Sequence, residues 1–271
     1  MHHINVNYEY HNQKQFSFFP LGDFHIGNAA CDLNKIESTV EQIAKTKDSF
    51  VILMGDLAEY IMPSDKRYNH DEIHPRFRQY YQTLPSEYLN YLINLLTPIK
   101  EKIITIHDGN HEETLQKYYY RNISAELAGA LGTKYTPAQT FTKVQFQYPN
   151  NGGHVKSIVI NTSHGHQSGR TTGSKVNFME NAVSWIDADI ILRGHSHSLF
   201  ANKTTRMGTN PRNSKIIKKE IIVGHTGSAL DTYTSNTTTY AERADYRMNT
   251  EGFMTIFIDV DIKNIRLSYQ I

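Results

Sequence analysis

The sequence predicts an α/β protein built on two β-sheets. Three observations lead there: short β-branched runs that each stop at a polar, glycine-containing turn, helical stretches between them, and a C-terminal third that reads as antiparallel strands. In chain order, Phe16 to Leu21 runs into Gly22-Asp23-Phe24-His25. Apolar runs this short, bounded by turns, read as buried strands. Leu33, Ile36, Val40 and Ile43 then share one helical face, with Asp32 as the cap. Phe50 to Met54 is the next strand and ends at Gly55-Asp56. Leu89, Leu92, Ile93 and Leu96 form a second helical face after Pro85-Ser86, which Pro98 closes. Ile103 to Ile106 leads to His107-Asp108-Gly109-Asn110-His111, and Ile123 to Leu131 is a short helix. Ile158 to Ile160 leads to His164-Gly165-His166, Val176 to Ile186 is helical, and Ile190 to Leu192 leads through Arg193 to Gly194-His195-Ser196-His197. Ser198 to Thr204, Ile216 to Val223, Gly252 to Val260 and Asn264 to Ile271 read as strands joined by polar loops, Arg206 to Ser214 and Tyr233 to Tyr240.

A length of 271 residues allows one large domain or two small ones, and no repeat or separating linker divides the chain. The reading is a single domain over 1–271, with an insertion at about 60–100 as a candidate cap over the active site. Lys plus Arg (28) against Asp plus Glu (27) gives +1, which excludes a nucleic-acid coat or membrane-surface protein. No apolar run approaches the roughly 20 residues of a membrane span, and the N-terminal stretch lacks the pattern of a signal peptide. Cys31 is alone, so an internal disulfide and thiolate-rich zinc sites are excluded. The expectation is a soluble cytoplasmic protein of undetermined oligomeric state.

Histidine is abundant, with 14 copies against a single tryptophan, and eight copies sit at strand-end turns. In α/β sheets, functional groups collect at the carboxyl ends of strands. The set Asp23-x-His25, Gly55-Asp56, Gly109-Asn110-His111-Glu112, His164-Gly165-His166 and Gly194-His195-x-His197 offers carboxylates and imidazoles without thiolates. Such donors suit Mn²⁺, Fe²⁺ or Zn²⁺, and they are too many for one tetrahedral ion. Two ions about 3.5–4 Å apart clamp both oxygens of an in-line displacement, and Asp56 is the natural bridge. Two divalent ions against two aspartates leave a charge of about +2 for hydroxide and an anionic substrate such as a phosphate. His111, beside Asn110, is placed to protonate the leaving oxygen.

This ordered set resembles the calcineurin-like metallophosphoesterase superfamily, with matches spanning residues 22–197. The resemblance implies a four-layer αββα sandwich of two mixed β-sheets flanked by helices. It implies that Asp23, His25 and His197 hold one ion, Asn110, His164 and His195 the other, with Asp56 bridging and His111 at the phosphate or leaving group. Several branches fit poorly. Leu57-Ala58-Glu59-Tyr60 replaces the Asp-Arg-Gly element of protein Ser/Thr phosphatases. Tyr60 falls one residue late for a purple acid phosphatase, and His111 stands where lipid A-pathway hydrolases usually carry Arg. The phosphodiesterase branch remains, and Gly169 to Lys175 looks like its phage-type members.

The implied activity is hydrolysis of phosphodiester bonds by hydroxide held between two divalent ions, Mn²⁺ first with Fe²⁺ or Zn²⁺ on the same donors. The partner is a phosphodiester substrate, DNA or a nucleotide, and no membrane. A phosphodiester, and within that a nuclease, is favoured because of His111 and because Arg67, Arg76 and Arg78 lie among the tyrosines of Tyr60 to Tyr91, while cations cluster from Lys203 to Lys219. The alternatives are a phosphomonoesterase, a cyclic-nucleotide phosphodiesterase, or a non-catalytic scaffold. Arg170 and Lys175 are candidate substrate contacts, and His166 either joins them or packs beside a ligand. His225 reads as a supporting donor to a ligand or carbonyl. His107 ends its strand with a hydrogen bond and has no assigned role.

Overall fold

Alternation along single strands sets the layers. In β3 (Ser49–Leu53), Phe50 and Ile52 enter one apolar cluster while Val51 and Leu53 enter another. In β8 (Ile190–Arg193), Ile190 and Leu192 enter the first of these and Ile191 a third. Strands buried on both faces demand cover on both sides, and the computed structural model supplies it in four layers. It describes residues 2–271 apart from 12, 64, 66–67, 150–154, 167–168, 170, 211–214, 235–237, 244 and 246. Arg67, His154, Arg170 and Arg212 therefore lie outside the described residues.

Among the described residues, one sheet runs β13-β12-β2-β3-β4-β5, through Ile265–Gln270, Thr255–Val260, Lys14–Leu21, Ser49–Leu53, Ile103–Ile106 and Lys134–Tyr135. Its β2, β3, β4 and β5 are parallel, and β12 joins antiparallel to β2. The second sheet runs β1 (His2–Glu9), β6 (Thr140–Gln147), β7 (Val155–Ser163), β8 and β10 (Ile216–Ser228). Both β9 (Leu199–Thr209) and β11 (Gly252–Phe253) pair with β10. Phe16, Phe18, Val144, Phe146, Ile160, Ile222 and Ile256 fill the space between the sheets. On the outer face of the first sheet lie α1 (Leu33–Lys45), α2 (Leu84–Leu96) and α4 (Ile123–Leu131). Against the second sheet, Met179 and Ala182 of α5 (Thr172–Trp185) pack on Ile191, Ile221 and Val223. This is the αββα sandwich of mixed sheets. Among the described residues, no helix is long and apolar enough to cross a membrane.

Several elements differ from the sequence expectation. His2 and His3 belong to β1, where Ile4, Val6 and Tyr8 alternate toward the core among polar residues that dilute the apolar run. Both β6 and α3 (Asn110–Tyr119) are additional elements, and α3 starts at Asn110 directly after its cap Gly109, so Asn110 and His111 are its first two residues. Residues Arg206 to Thr209 are strand rather than loop, paired with Ile216 to Lys219. Pro98 does not simply end a helix, because α2 passes into a 3₁₀ stretch, Thr97–Lys102, whose first turn tolerates proline. The insertion carries two short 3₁₀ turns and the whole of α2, and Tyr60, Ile73, Phe77 and Tyr88 pack into the same apolar cluster as α1.

His107 joins the two sheets. Its Nδ1 lies 2.9 Å from the Thr136 carbonyl and its Nε2 2.9 Å from Oγ1 of Thr162 in β7. Burial lowers its pKa from 6.5 to about 4, against the Thr136 bond, with His164 and Arg193 adding to the fall. With the folded-state pKa depressed, the unfolded chain takes up the proton first as pH falls. The stabilisation is complete above about pH 6.5 and disappears towards pH 4, on the order of 3 kcal/mol in all. Urea unfolding of metal-stripped protein at pH 7 and pH 5 will show a larger loss for the wild type than for His107→Gln. Equal losses would remove His107 from the pH response.

Candidate metal centre

Three of the five turns that carry the proposed ligands share one backbone feature. Asp23, His25, Asp56, His195 and His197 all have positive φ, between 49° and 63°. Left-handed backbone is uncommon outside glycine and clusters at functional sites, and Asp and His tolerate it better than most residues. Gly55 (φ +86°) and Gly109 meet where the turns of Asp56 and Asn110 cross, and a Cβ on either would overlap the opposite turn. The glycines thus let two ligand turns interlock.

Three donor groups result among the described residues: one is His25, Glu59 and His111, and the other two share a carboxylate. Asp23, His25, Asp56 and His197 bring ligand atoms within 4.8 Å of one another, as do Asp56, His164 and His195. In the first group, Nε2 of His25 lies 3.0 Å from Nε2 of His197 and 3.8 Å from Oδ2 of Asp56, while His197 lies 3.5 Å from Oδ1 of Asp23. In the second, Nε2 of His164 lies 3.2 Å from Oδ2 of Asp56 and 3.2 Å from Oδ1 of Asn110. The Asn110 oxygen is 2.8 Å from Nδ1 of His195. All seven sequence-predicted ligands therefore converge. Asp23, His25, Asp56 and His164 are buried, and His195 and His197 are partly exposed.

The donor chemistry fits divalent ions. Metal–nitrogen bonds of about 2.0–2.1 Å in a tetrahedral shell put neighbouring donors about 3.3–3.4 Å apart, close to the separations here. His164 turns Nδ1 to the Met54 carbonyl at 2.9 Å, and His25 turns Nδ1 to Glu59 Oε2 at 3.2 Å. A ring nitrogen held in this way by a carbonyl or carboxylate leaves Nε2 to coordinate. Desolvation lowers the pKa of His195 to about 4 and holds His197 well below the usual range, so both stay neutral as metal binding requires. Burial opposes protonation of His164, yet Asp56 and then Asp23 raise its pKa to about 10. The carboxylates draw a proton where a cation would otherwise sit. Asp23 is itself raised to about 6, by burial and by Asp56.

Two residues without an assigned role hold the site together. Glu112 accepts from the Asp56, Leu57 and Gly109 backbone N–H groups at 2.9 Å each, tying the two glycine turns. Its signal was in the sequence, since a glutamate three residues after a helix cap commonly bonds back to the cap N–H. Glu59 reaches His25 and, through Oε1, lies 2.9 Å from Nδ1 of His111. It also accepts from Asn28 at 3.1 Å. Burial opposes its charge, but His111 and His25 hold its pKa well below the usual carboxylate range.

The remaining candidates divide. His166 is exposed, its ring 6.0 Å from that of His195. Lys175 turns its Nζ to Ser196 O at 3.1 Å and to Oγ of Ser198. His225 is buried and stacked 6.4 Å from Phe178, and among the described residues neither ring nitrogen has an aligned hydrogen-bond partner. The clustered cations are largely engaged within the fold. Arg76 lies over Tyr91 at 4.6 Å and pairs with Glu37, Arg78 donates to Ile73 and Asp71 carbonyls, and Lys203, Arg206 and Lys219 pair with Glu220, Asp187 and Asp189.

A family model described as calcineurin-like phosphoesterase matches residues 17–199. No curated protein sequence matches the chain. Among solved structures, the chain is similar at 12% identity to a predicted phosphoesterase from Streptococcus pneumoniae, covering 94% of this chain and 89% of that one with a TM-score of 0.36. It is similar at 12% identity to Vps29 from Entamoeba histolytica complexed with zinc, over 94% and 98% of the two chains, TM-score 0.36. A third is the NAD nucleotidase of Haemophilus influenzae, at 12% identity over 96% of this chain and 50% of that one, TM-score 0.42.

Proposed function

Because this chain belongs to the calcineurin-like phosphoesterase family, we propose that it is a dinuclear phosphodiesterase. Asp23, His25 and His197 hold one divalent ion, Asn110, His164 and His195 the other, and Asp56 serves both. The observation that carries this reading is the pair of donor groups with Asp56 in common. Mn²⁺ is the first choice, and Fe²⁺ or Zn²⁺ suits the same donors. When bound, such ions polarise phosphoryl oxygens and lower the pKa of water.

The chain's own residues supply the rest. Glu59 Oε1 lies 2.9 Å from Nδ1 of His111, a close ion pair without hydrogen-bond alignment, which leaves Nε2 as the ring nitrogen for the leaving oxygen. Glu112 keeps the Asp56 and Asn110 turns in register. In this reading the insertion at about 60–100 is the cap of the active site, a role supported by the packing of Tyr60 and Tyr88 into the core cluster. Within the diesterase class, a nuclease acting on DNA is the polymer reading. Small nucleotide diesters, cyclic nucleotides included, are a second reading, favoured because the described cations of the insertion and of β9–β10 are largely paired internally.

The test is a substrate panel with Mn²⁺ in excess: an aryl phosphodiester, an aryl monoester, cyclic nucleotides and single-stranded DNA. The diester is expected to outrun the monoester. Hydrolysis of none of them at full metal occupancy would leave a scaffold rather than an enzyme.

A further inference from the structure

The turn Gly194-His195-Ser196-His197 carries one proposed ligand for each ion, and both histidines hold left-handed backbone, φ 63° and 49°. Such a conformation persists only where the surroundings over-determine it. Within the turn, the Ser196 N–H donates to the Gly194 carbonyl at 2.7 Å, and Gly227 N–H donates to Ser198 O at 3.0 Å. Those bonds fix the two ends. The carbonyl of Ser196, midway between the histidines, is held from outside by Lys175.

Lys175 sits in the first turn of α5, whose N-cap Thr171 accepts from Ser174. Its Nζ donates to Ser196 O at 3.1 Å and to Ser198 Oγ, and Ser198 Oγ in turn donates to Ser196 O at 3.3 Å. Both acceptors belong to the ligand turn or its next residue. The ammonium is half-buried, and desolvation lowers its pKa. A lysine held this way bonds carbonyl and hydroxyl oxygens whose loss would leave the turn free to relax. The same helix follows the His164-Gly165-His166 turn in the chain, so this contact links the two histidine turns that supply the second ion.

We propose that Lys175 is a positioning residue of the metal centre, whose ammonium locks the His195–His197 turn so that both imidazoles face the ions. This rests on the dinuclear reading above. It gives Lys175 a different task from the substrate contact expected of a cation following a ligand turn, because the side chain is directed at Ser196 and Ser198.

The experiment is a calorimetric titration of Mn²⁺ into chelator-stripped wild type, Lys175→Met, Lys175→Arg and Ser198→Ala. Loss of a residue that orients a ligand typically weakens metal binding about 10–100-fold, and Lys175→Met is expected in that range. Lys175→Arg should restore most of the affinity, and Ser198→Ala, which keeps the lysine, should weaken it in the same direction. The unliganded melting temperature of the variants should match the wild type, and the KM for an aryl diester at saturating Mn²⁺ should not change. Lys175→Met binding Mn²⁺ as tightly as the wild type overturns the inference, as does a raised KM with intact metal affinity, the mark of a substrate contact. If the wild type itself takes up no Mn²⁺, the dinuclear reading falls and this inference with it.

Discussion

Replacing Asp56 by alanine is expected to abolish phosphodiester hydrolysis and to strip the chain of both divalent ions. Of the three donor groups among the described residues, two contain Asp56, and it is the only carboxylate those two share. It is buried, with Oδ1 accepting the His111 N–H at 3.0 Å and Oδ2 facing His164 and His25. Burial favours its neutral acid, yet His164, His111 and His25 hold its pKa well below the carboxylate range. The site is therefore arranged to keep a full negative charge at its centre. Removing that charge affects both ions together, so the loss should exceed the roughly 10–100-fold that follows removal of an orienting partner. Asp56→Asn keeps the shape and the His111 bond without the charge, and it should fail nearly as completely. Elemental analysis and diester turnover read both effects. Native metal content and activity in Asp56→Ala would refute the shared-ligand arrangement.

His111→Ala should cut turnover by about 10²–10⁴-fold, a range typical of a lost general acid and equal to about 3–5 kcal/mol of barrier. Metal affinity should change far less than turnover, since His111 lies outside the two donor groups that share Asp56 and meets the centre only through the group it forms with His25 and Glu59. In the metal-free chain, burial opposes its protonation, but Glu59 and then Asp56 raise its pKa to about 9. The Glu59 carboxylate, 2.9 Å from Nδ1, is the charge that favours the protonated ring. The effect must depend on the leaving group: nitrophenolate leaves without much help, whereas an alkoxide such as a sugar hydroxyl needs the proton. The loss should be steeper for the alkyl leaving group. An equal loss on both would show that His111 does not act as the acid. Glu59→Gln should follow the same trend with a smaller effect.

The site was more legible in the sequence than the sheets were. Each ligand sits in a turn whose glycine and polar residues are locally encoded, so the set Asp23, His25, Asp56, Asn110, His164, His195 and His197 could be read without knowing which strands pair. The structure then brings these turns together. By contrast, β1 and β6 pair along eight residues across a separation of more than a hundred positions, and only the faint alternation of Ile4, Val6 and Tyr8 announces it. Local polarity hid that strand. The cations of the insertion and of β9–β10 misled for a related reason, since composition shows charge but not its partner. Arg206 and Lys219 meet Asp187 only because the hairpin folds back on the loop after α5. Glu59 was visible as a residue three positions beyond Asp56, but its contact with both His25 and His111 required the turns to be closed.

The central claim is that these turns bind two ions around one carboxylate. Titration of Mn²⁺ into the chelator-stripped wild-type chain, with bound metal counted by elemental analysis and released protons followed in parallel, tests it most directly. Two ions per chain are predicted, with proton release because His164 holds a proton before the metal arrives. Uptake of one ion or none, with the fold intact, would contradict it.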